Sequence, residues 1–121
     1  MDEKFLDGLL VTLRVQELFN VCVSLTEQHS TSLGEIAKLS DEFEGNVDEI
    51  EKEIVKSRTI IYRIQESLSK IEMIIAENEG LVLEEERAIA LFTKFSHYAE
   101  DRLKNNDSLL ELVNKIKEGM K

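Results

Sequence analysis

Between Phe43 and Asn78 the side chains at alternating steps of four and three are Phe43, Val47, Ile50, Ile54, Ser57, Ile61, Ile64, Leu68, Ile71, Ile75 and Asn78. A repeat of seven kept up over about five heptads holds one apolar stripe on one side of a helix, facing something that covers it. At about 1.5 Å per residue such a rod is about 54 Å long. The stripe is mostly Ile and Val at both seam positions, a choice that favours three or four strands over a parallel pair. A second column with Leu39, Ile60 and Ile74 widens the buried face, which predicts a bundle. Ser57 and Asn78 interrupt the seam, where a polar residue lowers stability and can fix register; simple tolerance is the other reading.

The 121 residues contain no proline and only five glycines, and 42% of them are hydrophobic. With Glu, Lys, Leu and Ile abundant and no alternating apolar and polar runs, the class is all-α: long helices forming a coiled coil or an elongated helical bundle. One elongated helical unit over residues 1–121 is expected, with helices at about 3–30, 33–79 and 83–118. The first contains Phe5, Leu6, Leu9, Leu10 and Leu13, then a stripe through Val11, Val15, Leu18, Cys22, Leu25, His29, Ser32, Ile36 and Leu39. Ser30, Thr31 and Ser32, with Ser32 and Glu35 spaced as a capping box, place a weak point near 29–33. A stutter through Leu39, Phe43, Val47 and Ile50, with Gly45 inside it, softens a second place. Glu77 to Gly80 reads as a helix stop, and the short link after it turns the chain back as a hairpin. The seam then resumes through Phe92, Phe95, Ala99, Arg102, Asn106, Leu109, Val113, Ile116 and Met120. Asn105 to Ser108 interrupt it, and Ser108 with Glu111 offers a fresh capping box.

The formal net charge is −10, which argues against direct binding of nucleic acid, since phosphate contacts need a basic stripe. Acidic residues gather between Asp41 and Glu53 and between Glu77 and Glu86; such runs ordinarily form solvated helix faces, and docking of a basic partner is the second reading. Lys115, Lys117 and Lys121 suit the negative end of a helix dipole. Cys22 is the single cysteine, so no internal disulfide forms, and on an apolar stripe it acts as a small hydrophobe. Met1, Asp2 and Glu3 do not resemble the basic flank of a secretory signal, and Asp7, Arg14, Gln16, Glu17 and Asn20 break the most apolar window, so no transmembrane segment is expected. His29 and His97 lie far apart and have no cysteine cluster beside them, hence no zinc ligand set. His97 beside Tyr98, Glu100 and Asp101 spreads around a helix instead of converging. There is no phosphate loop or nucleophile motif. The expectation is a protein without enzymatic activity and without a cofactor.

The run Phe5, Gly8, Leu9, Leu10, Leu13, Arg14, Val15, Gln16 and Leu18, followed by Glu27, Ile36, Leu39 and Glu42, resembles the opening helix of snapin-like proteins. These are small helical subunits of the complex for biogenesis of lysosome-related organelles and of its sister complex for lysosome positioning. The resemblance covers roughly the first forty residues. It implies a cytoplasmic, non-enzymatic subunit, peripheral on endosomes or lysosomes through its partners, that co-folds with other helical chains and contacts SNARE coiled coils. The seam residues Phe43, Val47, Ile50, Ile54, Ile61, Ile64, Leu68, Ile71 and Ile75 are the expected partner-binding ridge of a hetero-oligomer, and without a partner the chain is expected to fold poorly. A coiled-coil spacer in a kinetochore, microtubule-linked or transcription-adaptor complex is the alternative. A third reading is a self-contained helical bundle that binds a small ligand.

Overall fold

The computed structural model describes residues 3–120; Met1, Asp2 and Lys121 lie outside the described residues. Three long helices account for most of them: α1 (Glu3–Leu39), α2 (Val47–Glu77) and α3 (Glu85–Gly119). The all-α class and the bundle read from the widened apolar face are what the structure has. The chain runs up, down and up. Ser32 of α1 meets Glu53 of α2, and Asn106 of α3 meets Ile54 of α2, so α2 is antiparallel to both neighbours. Phe19 stacks on Phe95 with ring centroids 6.1 Å apart, and His29 meets Tyr98 edge-on at 5.9 Å, so α1 and α3 run side by side in one direction.

The interior has two apolar regions with a polar layer between them. In the first, Val15, Phe19, Cys22 and Leu25 of α1 close on Ile61, Ile64, Leu68 and Ile71 of α2 and on Ala88 and Ala99 of α3. In the second, Ile36 and Val113 close on Val47, Ile50 and Ile54. Each buried Ile or Leu contributes about 1.5–3 kcal/mol relative to exposure. Between them lie His29, Ser32, Ser57 and Asn106, all buried. The Asn106 side chain donates to the Ile54 carbonyl at 2.8 Å, and the Ser32 hydroxyl donates to Glu53 Oε1 at 3.0 Å. Sliding one helix by a turn would strand these groups without partners, so the layer selects one register.

Helix ends differ from expectation in three places. The break falls at 40–46 and not at 29–33, so α1 is continuous through the Ser-Thr segment. Ser32 is spent on Glu53 and Thr31 donates back to the Glu27 carbonyl at 3.1 Å, so neither competes with the helix backbone. The stutter around Phe43 is where the chain bends, in two short 3-10 turns at Ser40–Glu42 and Glu44–Asn46. There Asn46 Nδ2 donates to the Leu39 carbonyl at 3.2 Å and Ser40 Oγ to the Ile36 carbonyl at 2.7 Å, satisfying acceptors at the end of α1. Finally, α3 runs unbroken through Asn105–Ser108, because Asn106 finds its partners on α2, and it starts at Glu85 instead of 83.

The hairpin between α2 and α3 forms as its residues suggest. Asn78 caps α2 by donating from Nδ2 to the Ile74 carbonyl at 2.8 Å, and Gly80 takes φ of +79°. Glu84 also sits in the left-handed region, at φ of +53°. Outside the core, Lys117 pairs with Asp48 at 3.1 Å and Glu51 at 3.0 Å. Glu51 lies within the acidic run between Asp41 and Glu53, and here it joins the end of α3 to the start of α2. Lys121 lies outside the described residues, so the basic cluster is seen only through Lys115 and Lys117.

Candidate interaction surface

The ridge expected to receive other chains is covered by this chain itself. Val47, Ile50, Ile54, Ile61, Ile64, Leu68 and Ile71 are buried, and Phe43 and Ile75 are half-buried. They are a core, with α1 and α3 standing where partner helices were expected. The physical reason is length: α1 and α3, of 37 and 35 residues, each match the 31 residues of α2 and carry their own apolar stripes. The short links then bring these stripes onto the ridge at high effective concentration. No second chain is needed to cover it.

Exposed large apolar side chains occur on all three helices, and α1 carries the largest group of them. Leu6, Leu10 and Leu13 are 43%, 57% and 48% exposed. Their spacing of four and three puts them on one line, and that line is opposite Gly8, Val15 and Phe19, which face the bundle. Phe5 and Val21 are exposed beside it, and Met73 of α2 is exposed across a shallow recess bordered by Leu18, Val21 and Ile74. In sequence this part of α1 is apolar on more than one side, with Phe5, Leu6, Leu9, Leu10 and Leu13 close together. The signal that separates its two sides was present: Leu6, Leu10 and Leu13 form a column out of phase with Val15 and Cys22.

The start of α1 is held by the hairpin between α2 and α3. Thr12 Oγ1 donates to the Gly8 carbonyl at 2.6 Å and accepts the Leu83 N–H at 2.8 Å. The backbone at Leu81 approaches Gly8 so closely that a Cβ there would stand 2.6 Å from its carbonyl oxygen. This clamp fixes which side of α1 turns outward. By length and composition alone, the helical stretch Glu3–Glu42 contains an 18-residue window apolar enough to cross a membrane, at mean hydropathy 1.3, with 28% of it buried. A helix with an apolar column on each side gives the same score when one column lies in a core.

The polar layer has its own electrostatics. His29 Nδ1 lies 3.0 Å from the Tyr98 hydroxyl oxygen. Burial first, and the nearby Arg102 charge second, hold the imidazole below its ordinary value of 6.5. An unfolded histidine takes up a proton near pH 6.5 while the folded one resists it. The contribution of His29 to stability is thus whole above pH 6.5 and is lost progressively as pH falls below it toward the lowered value of the folded protein. Urea denaturation midpoints should drop between pH 7.5 and pH 5.5. H29Q should flatten that slope, and equal slopes in the two proteins would show that the layer is not what titrates.

Cys22 is fully buried and its thiol is pushed up to about 11 by desolvation, so it is an inert part of the core. Among the described residues no group of three His, Cys, Asp or Glu is placed to hold a metal ion. His97 is exposed, and His29 faces Tyr98 and Arg102, so the two histidines do not meet. No family model, no curated protein and no solved structure matches this chain.

Proposed function

We propose that this chain is a non-enzymatic helical subunit of a hetero-oligomeric assembly, joined to its partner through the outward column of α1 and not through the isoleucine ridge. The observation that carries the reading is the row Leu6, Leu10 and Leu13, about half exposed on a helix whose other side is already buried. Three leucines in line, with Phe5 and Val21 beside them, form the kind of contiguous apolar surface that marks an interaction site. Their helical spacing suits an amphipathic helix laid along α1. The net charge of −10 disfavours an anionic membrane as the cover, since a basic face is what such surfaces attract. Membrane traffic on endosomes or lysosomes is the proposed setting. It rests on the resemblance of Phe5 to Glu42 to snapin-like proteins.

The test separates docking from folding. Leu10→Asp combined with Leu13→Asp should abolish recovery of helical partner chains in a native pull-down, while the thermal midpoint of the isolated protein stays within a few degrees of wild type. Both positions face solvent, where substitutions usually change stability by no more than about 0.5 kcal/mol each. Unchanged recovery by the double variant would remove the proposed surface. Mass spectrometry of the recovered chains would also test the setting, because partners of a chromosomal or transcriptional kind would replace it.

A further inference from the structure

Midway along the bundle, within the polar layer, the three helices leave a recess of about 290 Å³. Its floor is made by His29, Ser57 and Asn106, which are 1%, 1% and 3% exposed, and its mouth by the half-buried Arg102 and the exposed Asn105. Two features of it are not explained by packing.

The first is the Ser57 hydroxyl, which is buried without any hydrogen-bond partner in the structure. A serine within a helix ordinarily donates to the carbonyl four residues back. For Ser57 that carbonyl is Glu53, and no such bond forms; the Ser32 hydroxyl, whose proton goes to Glu53 Oε1, stands 3.4 Å from the same carbonyl oxygen. Buried hydroxyls without partners are rare in native proteins and call for an unseen one. The second is Arg102. Its guanidinium stands 5.2 Å from the centre of the Tyr98 ring, whereas Arg58 and Arg87 take Asp107 and Glu84. Among the described residues Arg102 pairs with no carboxylate, and no acidic side chain lines the recess.

A single water takes about 30 Å³ in the liquid, so the recess is several times too large for one. Its wall offers the Arg102 guanidinium, which has no carboxylate beside it, the Ser57 hydroxyl and the Asn105 and Asn106 carboxamides, with Leu33 and Leu109 as its apolar side. The Asn106 amide already donates to the Ile54 carbonyl at 2.8 Å, which leaves one N–H to give. We propose that this recess binds one small tetrahedral oxyanion, phosphate or sulfate, with its charge against Arg102 and one oxygen accepting the Ser57 proton. Arg102 supplies two parallel N–H donors, the geometry that suits paired oxygens. The site stands apart from the outward column of α1, so it does not depend on the proposed partner.

Phosphate and sulfate would be titrated into the full chain at constant ionic strength, with chloride as the balancing salt and acetate as a planar comparison, and followed by backbone amide NMR. Saturable shifts confined to residues near Ser57, Arg102 and Asn105 are expected for phosphate or sulfate and not for acetate. R102Q should weaken the response at least tenfold and S57A by a smaller factor, whereas R63Q, on the exposed side of α2, should leave it intact. Because the wild-type titration stands by itself, a variant that folds badly does not rescue the idea. Non-saturating shifts in the wild type, shifts that chloride reproduces, or an R102Q response equal to wild type would overturn it.

Discussion

Ile61→Asp is expected to unfold the isolated chain. Ile61 is 0% exposed and lies in the cluster where Cys22, Ile64 and Ala99 meet, with no cationic member in that cluster. A carboxylate there either stays charged without a partner or takes up a proton, and both outcomes come on top of the lost aliphatic packing. A penalty of more than about 4 kcal/mol is at the exceptional end of single substitutions. That is a large fraction of the stability of an ordinary small domain, which is about 5–15 kcal/mol. Val55→Asp is the control, since Val55 is on the same helix and 50% exposed. Circular dichroism should find Ile61→Asp without a cooperative melt at 25 °C and Val55→Asp close to wild type. A cooperative Ile61→Asp melt near the wild-type midpoint would mean that this ridge is not the core.

Gly8→Ala is expected to destabilise the protein although it sits inside a helix, where alanine normally gains about 1 kcal/mol over glycine. The new Cβ would stand 2.6 Å from the Leu81 carbonyl oxygen. That atom is backbone, held in a hairpin whose Leu83 N–H is bound by Thr12, so it cannot swing aside like the end of a side chain. Overpacking of this kind costs about 1–3 kcal/mol, which exceeds the propensity gain. Gly34→Ala supplies the opposite sign. Gly34 is an exposed position of the same helix, and a Cβ there meets nothing within 4 Å. Urea midpoints should fall for Gly8→Ala and rise for Gly34→Ala. Two rises would show that the hairpin does not press on α1.

Much of this fold can be read from spacing alone, because a helix repeats its faces every three or four residues and the residues obey that period. The columns Val15, Cys22, Leu25, His29, Ser32, Ile36 on α1 and Ala99, Asn106, Val113 on α3 are buried as their phase requires. The hairpin at Asn78–Gly80 could be read from residues that favour helix ends. What spacing does not carry is the identity of the cover. A seam looks the same whether its cover is another chain or the next helix of the same one, and here the lengths of the flanking helices decide. Polar residues misled for a related reason. Ser32 and Asn106 resemble helix breakers in isolation, and only their partners Glu53 and Ile54, 21 and 52 residues away, show them to be interior. The column Leu6, Leu10 and Leu13 was legible in principle, but a helix apolar on two sides does not say which side it buries.

Hydrogen exchange of the isolated chain, at a concentration where it is monomeric, tests the central claim most directly. If α1 and α3 cover the ridge unaided, the amides of Ile54 to Ile71 should be the slowest in the molecule with no partner present, and adding one should change little there. Rapid exchange across those residues that slows only when another chain is supplied would return the ridge to the role of an interface and contradict the account.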